Sequence, residues 1–422
     1  MGAKPPIPNK LWSELSVRKP TLTIFYQFNP WNATIGGIQT LINIFIKYAP
    51  SEFDVRLVGT GDDSSQPLGK WHQAEFAGKE ISFLPLFALK NDNHRNLIPT
   101  SVKYTAALMG QDLASDFMHF HRLEPTLFTR HWQGEKTLFI HNDIQMQMKA
   151  GDKQKSILWR RFPEAYFTLE KFLVGQFNQI LSCNTDAVEL FRKRYPTIAE
   201  RIAYIKNSFD PEVFYPLTQE KQEFQKTKFS REMGLAKETS YILFAGRLHP
   251  QKDPILLLRS FANLKDLSVH LLIAGDGELA AEVRTEINRL GLSKRVTMLG
   301  VLNQKELALF HQISSVFVLS SVYEGLPLVV LEALACGTPI VTTKCGETPK
   351  LLTSKSGLVC EERNPLSIAD ALRRVVLNPE EYPMESCVKS ASPYAANTVV
   401  NQVYSQMWQH WERQKQSNLI TF

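Results

Sequence analysis

Short apolar runs alternate with segments of helical period from residue 21 onwards. The run TLTIFYQF (21–28) predicts a buried strand, and the segment 38–48 predicts an amphipathic helix after it. Further strand-like runs in the first half are DVRLVGTG (54–61), DFMHFH (116–121), KTLFIHND (136–143), QILSCN (179–184) and RIAYIKN (201–207). Strands that alternate with helices are typical of a parallel sheet with crossover helices.

The same alternation restarts after a polar stretch, 209–238, which has no strand pattern and predicts an interdomain connection that is partly helical. The strand-like runs of the second half are YILFAG (241–246), HLLIAG (270–275), RVTMLG (295–300), SVFVLSS (315–321) and TPIVTT (338–343). Each run lies near a segment of helical period. We therefore predict an α/β fold with two doubly wound, Rossmann-like domains.

The predicted first domain covers 1–208 and the predicted second domain covers 239–390. Beyond 391, apolar residues recur at roughly helical spacing, at Tyr394, Val400, Val403, Tyr404, Met407, Trp408 and Trp411. We expect 391–422 to form a helix that packs across the two domains and crosses back to the first one. Residues 62–100 have no pattern with a chemical interpretation and are expected to form a loop.

Composition and charge narrow the class of protein. The 422 residues are 44% hydrophobic and 21% charged, which excludes collagen-like, disordered and disulfide-scaffold proteins. The net charge of +6 is spread along the chain, so it does not indicate nucleic-acid binding; it is compatible with anionic substrates and with peripheral contact at acidic membrane surfaces. No run approaches the roughly 20 apolar residues of a membrane helix, and the chain starts without the apolar stretch of a signal peptide.

The five cysteines are scattered and include no Cys-x-x-Cys pair, so neither a zinc site nor a redox motif is indicated. This cysteine usage fits a reducing compartment. We expect a cytoplasmic protein, which could be peripheral at the inner face of the membrane.

Residues 317–343, FVLSSVYEGLPLVVLEALACGTPIVTT, carry the clearest chemical signal. The pattern predicts a strand, a loop over 322–327, a helix that ends at Gly337, and a second strand. Ligands in such sheets bind beyond the carboxyl ends of the strands, and the amide end of a helix suits a phosphate. Glu324 in the loop and Glu332, about one turn into the helix, can reach one crevice.

Two further turns follow strands that we expect at the same edge. Arg247 and Lys252 come after the strand that ends at Gly246, and these cations would face a phosphate in that crevice. Gly275 and Gly277 form a strand-to-helix turn that we interpret as structural.

These residues together resemble the family-4 retaining glycosyltransferases, which have the two-domain fold called GT-B, with domains that face each other across a cleft. The likeness is clearest over about 240–360, in GRLHPQKD, LLIAGDGEL, VTMLGVLNQKEL and YEGLPLVVLEALACGTPIV. Looser matches in the first half are a Gly36-Gly37-Ile38 loop, HFHRLEP (119–125), FIHND (139–143) and IKNSFDPEVF (205–214). The chain departs from the family at Ser208, where Gly is usual, and in CGETPKLL (345–352), which commonly has a second Gly and Pro-Glu.

The resemblance implies a role for each charged residue. Glu332 would bind the ribose hydroxyls of a nucleotide, and Glu324 would contact the transferred sugar. The alternatives are a helix-surface glutamate at 332 and a loop charge or helix capper at 324. Arg247 and Lys252 would clamp the diphosphate, unless they are two solvated loop charges. Such a clamp needs no metal, and the chain contains no Asp-x-Asp, so we expect neither a metal nor a cofactor.

The resemblance also places histidines in the site. His141 would face the donor sugar, with a satisfied structural histidine as the alternative, and His121 is a second candidate. His119 is expected on the opposite face of its strand, in the core.

Several backbone segments would complete the donor site in this family. Gly36 and Gly37 would let the first domain approach the diphosphate. Further positions are expected at the donor loop and at the base pocket: Gly325, Leu326, Leu328, Gly300 and Val301.

The function that follows is a retaining glycosyltransferase, which moves a sugar from a nucleotide-diphosphate sugar to an acceptor hydroxyl. By the resemblance, the partners would be a nucleotide-sugar donor and a sugar, glycolipid or lipid-linked acceptor, in cell-surface polysaccharide or glycolipid synthesis, with no nucleic acid. Two alternatives stay open: a sugar-nucleotide epimerase or hydrolase on the same fold, and a non-catalytic nucleotide-sugar binding protein.

Overall fold

The computed structural model describes residues 18–31, 36–62, 67–89, 99–141 and 162–420, with side chains up to residue 417. Within these ranges the chain forms two sheets, each covered by helices on both faces. The predicted residues Asn142 and Asp143 of FIHND and the start of the chain lie outside the described ranges.

The first sheet has eight strands in the order β3-β4-β2-β1-β5-β6-β7-β8. Its strands are β1 (Thr21–Phe25), β2 (Asp54–Gly61), β3 (His72–Phe76), β4 (Lys79–Ala88), β5 (Phe117–Phe120), β6 (Glu135–Ile140), β7 (Gln179–Ser182) and β8 (Ile202–Tyr204). All neighbouring pairs are parallel except the hairpin of β3 and β4. The strand order reverses between β1 and β5, which marks the crevice where such sheets bind ligands.

The second sheet has six parallel strands in the order β11-β10-β9-β12-β13-β14. They are β9 (Ser240–Ala245), β10 (Val269–Ala274), β11 (Val296–Gly300), β12 (Val316–Leu319), β13 (Ile340–Thr342) and β14 (Gly357–Val359). The strand order reverses here between β9 and β12. The predicted α/β class with two doubly wound domains is confirmed, and we call the units around the two sheets the first and second domain.

The α-helices within the described ranges are α1 (Gly37–Lys47), α2 (Thr100–Ala107), α3 (Pro163–Val174), α4 (Thr185–Arg194), α5 (Gln219–Glu232), α6 (Pro254–Phe261), α7 (Ala280–Arg289), α8 (Gln304–Ile313), α9 (Leu328–Ala335), α10 (Thr348–Leu351), α11 (Pro365–Leu377), α12 (Met384–Ala391) and α13 (Ala396–Ile420). Short 3₁₀ turns cover Glu124–Phe128, Pro196–Arg201, Pro379–Glu381 and Ser392–Tyr394. The connection between the domains is helical in part, as predicted, because it contains α5.

The terminal helix α13 belongs to the core of the first domain. Val400, Tyr404 and Trp411 are buried in the same cluster as Phe45, and the Tyr404 hydroxyl donates to the Phe45 carbonyl at 3.0 Å. The helix therefore crosses back from the second domain to the first, as the apolar spacing predicted. None of the helices that the structure describes is long and apolar enough to cross a membrane.

The segment 62–100 is not only a loop, because it contains the hairpin of β3 and β4. Strand β3 reads HQAEF and lies at the sheet edge with alternating half-buried and exposed residues, so it has no apolar run that would predict a strand. Strand β4 carries a central Pro85, which argues against a strand on sequence grounds.

Candidate active site

The carboxyl ends of β9 and β12 are neighbours in the second sheet, at the point where its strand order reverses. Arg247 and Lys252 follow β9, and Glu324 follows β12, so the topology alone brings these three residues to one edge. They line a cavity of about 410 Å³ that also receives residues from the carboxyl edge of the first sheet. The site is therefore a cleft between the two domains.

Lys252 and Glu324 form an ion pair inside this cleft. Lys252 Nζ lies 2.5 Å from Glu324 Oε1, and the side chains are 17% and 6% exposed. The Ser321 hydroxyl donates to the same oxygen at 2.6 Å. The Glu324 side chain is thus held in a fixed position, and the charge of Lys252 is shared between it and any anion in the cleft.

Backbone contacts hold the two cleft loops together. The amide of Val322 donates to the Gln251 carbonyl at 2.8 Å, and the Gln251 side chain donates to the Tyr323 carbonyl at 3.0 Å. Gly275 supports the first loop from below, at a φ of 131°, where a Cβ would lie 2.0 Å from the Gly246 carbonyl oxygen. The predicted structural role of this glycine turn fits that contact.

Glu332 is a buried carboxyl group in the wall of the same cavity. It is 4% exposed, and its Oε2 has no hydrogen-bond partner within the described ranges. Burial raises the pKa of Glu332 to about 8. An unpartnered buried carboxyl group is costly unless a ligand satisfies it, so this position is suited to bind hydroxyl groups.

Arg247 is the exposed cation of the cleft. Its side chain lines the cavity, and no hydrogen bond or ion pair ties it to another part of the chain that the structure describes. It is therefore available to an anionic ligand, in contrast to Lys252.

His121 and His141 form a pair of neutral imidazoles. Nδ1 of His121 lies 3.0 Å from Nε2 of His141, and the rings are stacked with centroids 5.2 Å apart. Burial lowers the pKa of His141 to about 4 and the pKa of His121 well below its usual value. One ring donates to the other, and a neutral His141 can exchange hydrogen bonds with a sugar hydroxyl without adding charge to the cleft.

His141 lines the main cavity, whereas His121 lies behind it and lines a neighbouring cavity of about 170 Å³. His119 is buried in the core as expected. The expectation that it lies on the opposite face of its strand from His121 is wrong. The rings of His119 and His121 both contact Phe139, because residues two apart on a strand point to the same side.

Two helix amide ends point to the cleft, one from each domain. Gly36 and Gly37 start α1, and Leu328 starts α9; all three line the cavity. Unpaired amides at a helix start carry a partial positive charge that attracts phosphate. The arrangement therefore adds two anion-binding elements to Arg247 and Lys252.

At Gly325 the two domains approach each other closely. A Cβ on Gly325 would lie 2.4 Å from the carbonyl oxygen of His141 and 3.2 Å from the sulfur of Cys183. The Asn207 side chain donates to the Leu326 carbonyl at 2.7 Å, also across the cleft. Loop 324–326 is thus held between the domains.

The predicted base-pocket residues Gly300 and Val301 are not among the described residues that line the cavity. The Gly300 carbonyl accepts a hydrogen bond from the Gly275 amide at 2.6 Å, so it is used within the sheet. The next residues of the chain, Leu302 and Gln304, line the cavity instead.

Sequence reasoning missed several residues of the cleft. Ser321 and Asn207 lie in or beside the sequence segments that resemble the family. Their closeness to those motifs is the signal that could have identified them. Tyr26 and Cys183 lie at strand ends of the first sheet without a recognisable motif, whereas Arg122 lies in HFHRLEP, which contributed to the resemblance. Within the described ranges, no group of three or more His, Cys, Asp or Glu side chains could hold a metal ion; metal independence stays a prediction.

Part of the chain matches a known protein family. Residues 225–391 match the model of the family described as "Glycosyl transferases group 1". The D-inositol 3-phosphate glycosyltransferase of Corynebacterium urealyticum is 31% identical over 232 residues, which cover 52% of this chain and 54% of the relative. The chain therefore matches about half the length of the curated relatives to which it is similar.

Solved structures match nearly the whole chain. The sucrose-phosphate synthase of Thermosynechococcus elongatus has a TM-score of 0.74 at 17% identity, with 94% of this chain and 100% of that chain covered. The Anabaena protein HepE in complex with UDP and glucose has a TM-score of 0.68 at 14% identity, with 92% and 100% covered. At such low identity these matches show the shared fold.

Proposed function

We propose that this protein transfers a sugar from a nucleotide-sugar donor to an acceptor hydroxyl, a function supported by the match of residues 225–391 to the group 1 glycosyl transferases. The observation that carries the proposal is that one cleft holds Glu324, Glu332, Arg247 and Lys252 beside two helix amide ends. Each group matches one part of a nucleotide-diphosphate sugar.

The donor's anionic part would lie between the two domains. The diphosphate would bind the amide ends of α1 and α9 and the guanidinium of Arg247, with Lys252 turned from Glu324 towards the phosphate. Negative charge on the diphosphate grows as the bond to the sugar breaks, so these fixed cations and dipoles stabilise the transition state more than the ground state. In this proposal the cationic side chains and the helix amide ends of the protein itself supply the stabilisation.

The nucleoside and the sugar would occupy the two ends of the cleft. Glu332 would accept hydrogen bonds from ribose hydroxyls, which removes the cost of its unpartnered oxygen. Glu324 and His141 would bind hydroxyls of the transferred sugar. The Ser321 hydroxyl still holds Glu324 when Lys252 turns to the phosphate, and a fixed carboxylate can orient the sugar ring for reaction.

The reaction would proceed on one face of the sugar. The bond from the anomeric carbon to the diphosphate oxygen breaks, a bond from the acceptor oxygen forms on the same face, and the acceptor proton passes to the departing phosphate. The product then keeps the anomeric configuration of the donor. Proteins of similar fold bind different nucleotides: a HepE structure holds UDP-glucose, and a structure of Arabidopsis thaliana starch synthase IV holds ADP.

We infer that the setting is synthesis of a polysaccharide or glycolipid. A structure similar to this chain is WaaG, described as a glycosyltransferase involved in lipopolysaccharide biosynthesis, with a TM-score of 0.67 at 15% identity. The acceptor would then be a sugar or lipid-linked sugar that enters from the first domain.

The test is a panel of UDP-, ADP- and GDP-sugars, scored for binding and for slow hydrolysis without acceptor. NMR of the sugar product, with and without EDTA, gives the anomeric configuration and the metal requirement. Retained configuration and a rate unchanged by EDTA support the proposal. Inverted product or strict magnesium dependence contradicts the retaining, metal-free mechanism, and binding without any turnover would indicate a binding protein.

A further inference from the structure

The carboxylate of Glu347 joins the second domain to the start of helix α4 in the first domain. Its Oε1 accepts hydrogen bonds from the Thr185 amide at 2.6 Å and from the Thr185 hydroxyl at 2.7 Å. Thr185 is the first residue of α4, a helix of ten residues. The amide at this position has no partner inside its helix, so Glu347 satisfies a group that α4 cannot satisfy itself.

Lys350 completes this junction from the second domain. Its Nζ lies 3.1 Å from Glu347 Oε1, and it also donates to the Thr185 hydroxyl at 2.7 Å and to Asp186 at 2.8 Å. The Glu347 side chain is only 8% exposed, whereas Lys350 and Asp186 are 47% and 77% exposed. The buried centre of the junction is therefore the Glu347–Thr185 contact, and the Lys350–Asp186 pair is its exposed rim.

The same residue holds the donor loop. The Glu347 amide donates to the Gly325 carbonyl at 2.9 Å, next to Glu324. On the other side, Asn184, which caps α4, donates weakly to the Glu324 carbonyl at 3.5 Å. Helix α4, Glu347 and loop 324–326 therefore form one connected unit, in which a shift of α4 moves the loop that carries Glu324.

We propose that Glu347 is a positioning residue that closes the cleft and fixes loop 324–326 for reaction, through its side-chain contact with the start of α4. The positions involved are those where CGETPKLL departs from the family pattern, with Glu347 and Lys350 in the departing segment. The kinetic part of this inference rests on the proposed function, and the conformational part does not.

The contact stabilises the closed arrangement against an open one. A hydrogen bond to a charged group changes an equilibrium by roughly 10- to 150-fold. Glu347→Ala removes two such bonds and leaves the Thr185 amide unpaired only in the closed state, since water can reach it when the cleft is open. The ratio of closed to open molecules should therefore fall by at least about tenfold on the same estimate.

Spin-label distances measure the two arrangements directly. All five native cysteines are buried, so labels at Lys193→Cys in α4 and Lys355→Cys in the second domain will react selectively. Double electron–electron resonance, without ligand and with saturating UDP, should give a short distance in the parent, a longer or broader one in Glu347→Ala, and partial recovery in Glu347→Gln, which keeps an acceptor oxygen. Glu189→Gln, an exposed glutamate on the same helix, serves as the matched control and should match the parent.

Kinetics separate positioning from a merely structural role. In Glu347→Ala, kcat for donor hydrolysis should fall tenfold or more, and by a larger factor than the Kd for UDP rises on the same samples. Thr185→Val should add little to Glu347→Ala, because the two residues act through one contact. Unchanged distances in a folded Glu347→Ala would overturn the inference, as would equal losses in kcat and UDP affinity. If the parent turns over no donor, the proposed function fails and the distance measurement still decides on closure.

Discussion

Nζ of Lys252 lies 2.5 Å from Oε1 of Glu324, so the cation that should clamp the donor phosphate is paired with the carboxylate that should hold the donor sugar. The two residues follow neighbouring strands, and both are largely buried. Breaking such a pair by removing one partner leaves an uncompensated charge in the cleft. The two members should therefore affect nucleotide binding in opposite directions.

Glu324→Gln should bind UDP as well as the parent or more tightly, because Lys252 is then free to meet the phosphate, while kcat falls. Arg247→Ala should weaken UDP binding by roughly 10- to 150-fold, the effect of one charge-assisted hydrogen bond. Lys252→Ala should weaken UDP binding by more than that. Calorimetry with UDP and with uridine measures both effects. Uridine has no phosphate, and an equal loss of uridine affinity would mean that the variants disturb the domain instead.

The buried carboxyl group of Glu332 predicts that nucleoside binding depends on pH. With a pKa of about 8, Glu332 is protonated in roughly nine of ten molecules at pH 7. Ribose hydroxyls that donate to the carboxylate favour its charged form and lower this pKa, so binding releases a proton. Uridine affinity should rise from pH 6 to pH 8 and then level off.

Calorimetry of uridine binding in buffers of different ionisation enthalpy counts the released proton. Glu332→Gln removes the titrating group and should give affinity that is independent of pH over the same range. Proton uptake, or a pH dependence that persists in Glu332→Gln, would contradict the assignment of Glu332 to the ribose.

His141→Ala should fold normally and lose roughly 10²-fold in kcat, the usual scale for a positioned side chain. Because burial lowers the pKa of His141 to about 4, the histidine is neutral above pH 5.5, and the loss should be constant between pH 6 and 8. His121→Phe keeps the stack on Phe139 without the hydrogen bond and should cost less. A loss that follows a pKa near 6.5 would show that the pair is charged in the working enzyme.

Most strands of both sheets could be predicted because they are apolar runs bounded by turn residues, whereas β14, with three residues, was not among the predicted strands. β2 was predicted at its observed bounds, and the strands that carry Arg247 and Glu324 were placed within about two residues. Adjacent parallel strands present their carboxyl ends at one edge, so grouping these residues needed only the topology. The hairpin of β3 and β4 could not be predicted, because an edge strand with alternating exposure has no apolar run.

Contacts between the domains could not be predicted from the sequence either, for a different reason. The Glu347–Thr185 contact joins residues 162 positions apart, and it depends on how two separately folded sheets face each other. No local pattern encodes that placement. The ion pair of Lys252 with Glu324 likewise depends on which rotamers the long side chains adopt, although both residues were recognised as candidates.

Gly325→Ala tests whether the close approach of the domains is required for reaction. The added Cβ would lie 2.4 Å from the His141 carbonyl oxygen, which belongs to backbone and cannot turn aside as a side chain can. The cleft must therefore open or the loop must shift, and a misplacement of about 1 Å in a reacting geometry can cost roughly 10²-fold. UDP affinity should fall less than kcat, because Arg247, Lys252 and Glu332 lie in the second domain outside the loop and can still meet the nucleotide. Gly175→Ala is the matched control, since its Cβ would meet nothing within 4 Å and its φ of −66° is helical.

Because strain at Gly325 is relieved when the cleft opens, the thermal midpoint of Gly325→Ala should stay near that of Gly175→Ala while kcat falls. Wild-type turnover in Gly325→Ala would mean that chemistry occurs in a more open cleft, and a large drop in thermal midpoint would mean that the glycine serves the fold of the loop instead.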